Sequence, residues 1–81
     1  MNNSYQIQAI LFNNTIFDTK KARKWLKTHN FQPIKKVHKT ENYLRYRIIY
    51  PNKNYDYITK QLNNVIILVL MKQKWVLNKN C

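Results

Sequence analysis

The chain has 81 residues, with 15 Lys and Arg against 3 Asp and Glu, and a formal net charge of +12. This length permits one small domain with a single core and excludes a second domain. The chain has no glycine, which excludes a Gly-rich phosphate loop, and a single cysteine, which excludes an internal disulfide. Its three acids are isolated, which excludes paired-carboxylate chemistry. We therefore expect no enzyme, cofactor or metal site.

The first predicted element is a strand over residues 5–12, "YQIQAILF". Apolar odd-numbered positions alternate with Gln6 and Gln8, which is typical of a half-buried strand. The predicted core face is Tyr5, Ile7, Ala9 and Leu11. The Asn13-Asn14 pair that follows indicates a turn.

A helix is predicted next, capped by a side-chain oxygen of Asp18 or Thr19. Its apolar stripe has helical spacing and comprises Ala22, Trp25, Leu26 and His29. The opposite arc is basic and comprises Lys20, Lys21, Arg23, Lys24 and Lys27. We expect Trp25 to anchor the core and His29 to be packed, with its ring hydrogen-bonded near the helix C-terminus. Asn30 stands where helices often end on a left-handed residue.

Two strands are predicted after Pro33: a polar edge strand over residues 34–40 and a stronger strand over residues 42–50. Thr40-Glu41-Asn42 would form the hairpin turn between them. Alternate side chains of the second strand point to opposite faces. One face carries Leu44, Tyr46, Ile48 and Tyr50, and the other carries Tyr43, Arg45, Arg47 and Ile49.

The last predicted unit is a hairpin of residues 57–62 and 65–71 around Asn63-Asn64, which can replace Asn-Gly in a type I′ turn. Its second strand is apolar on both faces, as in a central, doubly covered strand. The fold class is therefore α+β, in the order β-α-β-β-β-β, with one amphipathic helix on a mostly antiparallel sheet of about five strands. Residues 1–81 form one domain, of which 72–81 are a basic C-terminal tail.

One helix can cover only one face of such a sheet. We expect the other face to be covered by residues 74–78 of the tail, by a second copy of the chain or by another protein. A homo-oligomer is therefore a candidate state.

The basic residues are the main candidates for a binding site, because a strongly basic surface attracts polyanions. Two arginines on one strand can hold phosphate oxygens, and a neighbouring Tyr can stack on an unpaired base. Lysines on the preceding strand would extend that surface if the two strands pair. The candidate nucleic-acid-binding residues are Lys20, Lys21, Arg23, Lys24, Lys27, Lys35, Lys36, Tyr43, Arg45 and Arg47, with Lys39, Lys72, Lys74 and Lys79 as further basic positions.

Each of these groups also has a purely structural interpretation. The helix cations can form a solubilising face, and edge lysines can prevent strand-to-strand aggregation. Arg45 and Arg47 can pair with Glu41 and Asp56 or cover apolar surface with their stems. His38 has no acidic or thiol neighbour in the sequence, so neither histidine is predicted to bind a metal.

The order of these motifs resembles a small basic domain of tailed-phage and large DNA virus open reading frames, sometimes fused to capsid-maturation proteases. The family pattern is A-x-x-W-L-x-x-H-x-F/Y, then T-E-N-x-x-R-x-R and a proline. The matching residues here are Ala22, Trp25, Leu26, His29, Phe31, Thr40, Glu41, Asn42, Arg45, Arg47 and Pro51. In the later F-R-T-x-x-L segment of the family, Tyr57, Thr59 and Leu62 match, and Ile58 stands where the family has Arg. Asn30 stands where the family usually has Gly. The resemblance implies a viral or phage-derived source and the β-α-β-β-β-β fold, and it implies no chemistry.

These observations predict a non-catalytic viral or phage-type protein that binds DNA or RNA through its Lys/Arg surface. The alternative is a virion structural or protein-interaction module that docks through its apolar sheet face, with Ile66, Leu68 and Trp75 at the contact. The first residues lack a signal-peptide pattern and the longest apolar run, residues 65–71, is shorter than a membrane span. We therefore expect no membrane partner and a location in the cytoplasm or nucleus of an infected cell, or in the virion.

Overall fold

A computed structural model describes residues 5–73, in which one helix lies against a five-stranded antiparallel sheet. The elements in chain order are β1 (Gln6–Asn13), α1 (Thr19–Thr28), β2 (His38–Lys39), β3 (Tyr43–Arg47), β4 (Tyr55–Gln61) and β5 (Ile66–Gln73). The strands lie in the order β2-β3-β1-β5-β4. The predicted α+β class and element order are confirmed.

Helix α1 begins and ends as its sequence predicts. Of the two candidate caps, Asp18 is the one used: its carboxylate accepts a hydrogen bond from the Lys21 N–H at 2.8 Å. After the helix, Asn30 adopts φ 64°, the left-handed conformation that Asn tolerates better than other non-Gly residues.

The core lies between α1 and strands β1, β3 and β5. Ile10 and Phe12 of β1 are fully buried, and the register places them beside Tyr46 and Leu44 of β3 and beside Leu68 and Ile66 of β5. Ala22 and Leu26 close this core from the helix side. The expected core face of β1 is therefore right for Ile7, which packs against this core, and wrong for Ala9 and Leu11, which lie on the opposite face of the sheet.

A β-bulge at Gln8 explains this difference. The register of β1 against β5 shifts between Ile7 and Ala9, so these two residues face opposite sides of the sheet. Gln8 is buried, and its side-chain amide donates to the Ile49 carbonyl at 2.8 Å. The Gln8 carbonyl accepts hydrogen bonds from the Ile48 and Ile49 N–H groups. These bonds replace ladder pairing and end β3 at Arg47, earlier than predicted.

The predicted strand over residues 34–40 is reduced to two residues, His38 and Lys39. Ile34 forms one backbone hydrogen bond to the C-terminal end of β3, from its N–H to the Arg47 carbonyl at 2.9 Å. The turn at residues 40–42 is as predicted, with Thr40 and Tyr43 joined by backbone and hydroxyl hydrogen bonds.

The β4–β5 hairpin is confirmed, but its turn is not type I′. That turn needs positive φ at both central residues, and Asn30 is the only non-Gly residue with positive φ in residues 5–73. Instead, residues 62–65 connect the strands, and the Asn63 side chain accepts from the Val65 and Ile66 N–H groups at 2.9 and 3.0 Å.

Strand β5 lies inside the sheet, between β1 and β4. It continues to Gln73, where Lys72 and Gln73 pair with Asp56 and Tyr55, so these two residues belong to the sheet and not to a tail. The rest of the predicted tail, including Lys74, Trp75 and Lys79, lies outside the described residues.

Candidate nucleic-acid interface

A groove of about 1150 Å³ runs between α1 and the segment that leads from the helix to β2. This segment, residues 30–39, turns back because the Phe31 N–H bonds to the Leu26 carbonyl at 2.8 Å and Asn30 has positive φ. The chain therefore returns along the side of the helix. The residues after the turn come to face those of the helix across the groove.

Six basic residues line this groove: Arg23, Lys24, Lys27, Lys35, Lys36 and Lys39. The first three come from the helix and the last three from the returning segment. No Asp or Glu is among the lining residues. We call this set the basic groove.

The bottom of the basic groove is less polar than its sides. Leu26, Phe31, Pro33, Val37 and Tyr46 contribute to its lining. Leu26 and Tyr46 belong to the buried core, and Phe31 and Val37 pack against it at half-buried positions. The groove thus combines two rows of cations with an apolar and aromatic floor.

The Tyr46 hydroxyl is an unusual feature of this floor. The side chain is 3 % exposed, and its hydroxyl oxygen is buried without a hydrogen-bond partner among residues 5–73. Burial raises the pKa of Tyr46; Arg23 opposes this effect by attracting the phenolate, and Asp18 adds to it. The phenol therefore stays protonated at neutral pH.

Arg45, Arg47 and Tyr43 lie on the opposite face of the sheet. Arg45 and Arg47 pair with Leu11 and Ala9 of β1, whose side chains point away from the helix. The predicted division into two faces is thus correct within β3, Tyr43–Arg47, and the structure does not extend it to residues 48–50. The lysines of residues 35–39 do not extend this face: Lys39 pairs with Leu44 on the helix side, and Lys35 and Lys36 line the basic groove.

The candidate basic residues therefore lie on three surfaces and not one: the basic groove, the opposite face of the sheet and the side of α1 outside the groove. The basic groove unites three helix cations with three from the returning segment, while Lys20 and Lys21 are exposed on the helix outside its lining. The pairing of β2 with β3 in a hairpin was predicted correctly, but successive side chains of β2 point to opposite faces of the sheet. His38, and not a lysine, lies beside Arg45.

Pairing of the β3 arginines with Asp56 is excluded by the strand order. Asp56 is on β4, and both β1 and β5 lie between β4 and β3. Strands are about 4.8 Å apart, so three spacings exceed the reach of an ion pair. The Nε atoms of Arg45 and Arg47 are buried without a hydrogen-bond partner in the described part of the chain.

The histidines and the aromatic residues have structural positions. His29 stacks on Trp25 with ring centroids 3.8 Å apart, and its Nδ1 lies 2.8 Å from the Trp25 carbonyl oxygen. The predicted ring hydrogen bond is present, although the side chain is exposed. Trp25 contacts Phe12 edge-to-face, with ring centroids 5.5 Å apart, and is half-buried.

Within residues 5–73, no three His, Cys, Asp or Glu residues are grouped as a metal site would require.

Sequence reasoning missed Phe31 and Tyr46 as lining residues. In the sequence, Phe31 is a motif position and Tyr46 is a member of an apolar strand face. A signal for Tyr46 is its polar atom on a strand face that must meet the basic helix. For Phe31, the signal is its position directly after the left-handed Asn30, where the chain reverses.

The structure contains no helix in residues 5–73 with the length and apolar character needed to cross a membrane. Comparisons with protein-family models, with curated proteins and with solved structures find no match.

Proposed function

We propose that this protein binds nucleic acid, without catalysis, through the basic groove. The observation that carries the proposal is that six cations from two separate segments line one groove that has no acidic lining residue. Like charges held together repel one another, and a bound polyanion relieves this repulsion. Binding also releases the counterions of the polyanion, which is the main source of non-specific affinity.

The groove suits a phosphate backbone better than an acidic protein surface. The cations occur in two rows, three on the helix and three on the returning segment, and a phosphate chain presents charge at regular intervals between them. DNA and RNA share this chemistry. The resemblance to a phage and large DNA virus domain adds that the nucleic acid would be that of a virus or its host cell.

The test is the salt dependence of binding in two matched double variants. The groove variant combines Lys24→Gln with Lys27→Gln and removes two exposed charges from the groove. The control variant combines Lys53→Gln with Lys60→Gln and removes two exposed charges near the β4 edge of the sheet. Each lost phosphate contact lowers the slope of log affinity against log salt by about 0.7 to 0.9. We expect the slope of the groove variant to be shallower than that of the wild type by about 1.4 to 1.8. The slope of the control variant should change by less than half as much.

Fluorescence anisotropy of a labelled oligonucleotide across a salt series measures these slopes. Equal slopes in the two double variants would show that only the overall charge matters, and a complex that does not respond to salt would contradict the proposal altogether. Circular dichroism of each variant checks that the fold is retained.

An apolar surface other than the predicted one supports the protein-interaction alternative. Ile66 is 1 % exposed in the core, so its replacement would unfold the domain and not test an interface. The exposed apolar residues near the free edge of β4 are better candidates, with Ile58 at 44 % and Leu62 at 49 % exposure. If this function is correct, Ile58→Ser with Leu62→Ser will abolish an assembly seen by light scattering without nucleic acid, whereas the charge variants will leave it intact.

A further inference from the structure

We infer that the basic groove takes single-stranded nucleic acid in preference to duplex. This inference rests on the proposed function and deepens it by naming the form of the ligand. It comes from the floor of the groove, which the charges alone do not explain.

The chemistry of the floor distinguishes the two forms. A duplex presents phosphates and sugars outward and keeps the faces of its bases stacked inside, so its backbone would leave the apolar floor without a partner. A single strand carries both charges and free aromatic base faces. Its phosphates can contact the two rows of cations while its bases cover the half-buried Phe31 and Val37.

Phe31 is the side chain best placed to contact a base. Its ring is parallel to that of Trp25, with an interplanar angle of 1° and centroids 6.2 Å apart. It is half-buried and packs against the core while lining the groove. A ring that is already held in place loses little conformational entropy when a base stacks on it.

The competing arrangement places the outer surface of α1 against a duplex. In that arrangement the exposed Lys20 and Lys21, which lie outside the groove lining, would contact phosphates, and Phe31 would be irrelevant. The two arrangements therefore depend on different residues and can be separated by experiment.

The first experiment compares three ligands with the wild-type chain: a single-stranded oligonucleotide, a duplex of the same length and inorganic polyphosphate, which has charge but no bases. We expect the single strand to bind most tightly and to remain bound at salt concentrations that release polyphosphate. If all six groove cations neutralise phosphates, the slope for the single strand will be about −4.

The second experiment replaces Phe31→Leu, which keeps an apolar side chain but removes the ring. We expect single-strand affinity to fall at least about fivefold and polyphosphate affinity to remain unchanged. The matched control is Phe17→Leu. Phe17 is also half-buried, its ring centroid lies 4.8 Å from that of Phe12, and it does not line the groove. This variant should leave both affinities unchanged.

The outcomes separate the inference from the proposed function. Duplex binding as tight as single-strand binding, or polyphosphate binding as tight at every salt concentration, overturns the inference and leaves nucleic-acid or polyanion binding intact. Failure of all three ligands to bind overturns both. If Phe31→Leu proves unfolded by circular dichroism, the comparison of ligands on the wild-type chain decides the matter.

Discussion

At the scale of single residues, the Tyr46 hydroxyl is a neutral polar group buried without a hydrogen-bond partner among residues 5–73. This hydroxyl loses its hydrogen bonds to water and gains none from the described part of the chain. The ring itself is favourable, since it packs edge-to-face on Phe12 with centroids 5.8 Å apart. The residue therefore combines a stabilising ring with a destabilising polar atom.

Replacing Tyr46→Phe should keep the ring contact and remove the cost. We expect the free energy of unfolding at pH 7 to rise by about 1 kcal/mol in urea titrations. Because burial holds the pKa of Tyr46 above its ordinary value of 10.0, the unfolded chain ionises first as pH rises past 10. Wild-type stability should therefore fall relative to the variant above that pH. Tyr50→Phe, at a residue that is 60 % exposed, is the control; a destabilised Tyr46→Phe protein would refute the argument.

At the scale of elements, α1 depends on its cap. All of its first-turn charges are cations, and no acidic residue lies in that turn to offset the positive end of the helix dipole. Asp18 alone supplies both a hydrogen-bond acceptor for the Lys21 N–H and a negative charge before the first turn. The helix that forms one wall of the basic groove is thus stabilised by one of the three acids of the chain.

Two substitutions separate these contributions of Asp18. Asn is an equally good N-cap, whereas Ala provides no acceptor. We expect Asp18→Ala to lower the free energy of unfolding by about 1 kcal/mol and Asp18→Asn to lower it by less than half as much. Thermal unfolding measures both. Equal losses in the two variants would show that the charge of Asp18, and not its hydrogen bond, stabilises the helix.

Local chemistry made α1 predictable, whereas the strands depend on distant partners. The cap, the apolar spacing and the left-handed Asn30 are all properties of a few neighbouring residues, and each was predicted, the cap as one of two candidates, Asp18 and Thr19. The core face of β1 after Ile7 was not, because the bulge at Gln8 is fixed by hydrogen bonds to Ile48 and Ile49, about forty residues away. The same bonds shorten β3.

The candidate site shows the same division between local and distant causes. The exposure of the helix cations follows from helical periodicity and was predicted. Their meeting with Lys35 and Lys36 was not, because it requires residues 34–37 to leave the sheet ladder and form the second wall of the groove. Arg45 and Arg47 were placed on the correct face of β3, yet that face turned out to be the one away from the groove.

At the scale of the whole molecule, the net charge of +12 acts on folding as well as on binding. The fifteen cations, offset by only three acids, repel one another more strongly when the chain is compact than when it is unfolded. Salt screens this repulsion over a Debye length of about 10 Å at 0.1 M. Salt should therefore stabilise the free protein while it weakens binding to a polyanion.

This opposition leads to a prediction about the midpoint of thermal unfolding, Tm. We expect Tm of the ligand-free protein to rise as NaCl is added, because the folded state gains more from screening than the unfolded state. A variant that combines Lys24→Gln, Lys27→Gln, Lys53→Gln and Lys60→Gln has four fewer charges to screen, so its Tm should rise less over the same salt range. Circular dichroism at increasing temperature measures both proteins. An identical response to salt in the two proteins would show that charge repulsion does not limit the stability of this fold, and a fall in Tm with salt would show that attractive pairs outweigh it.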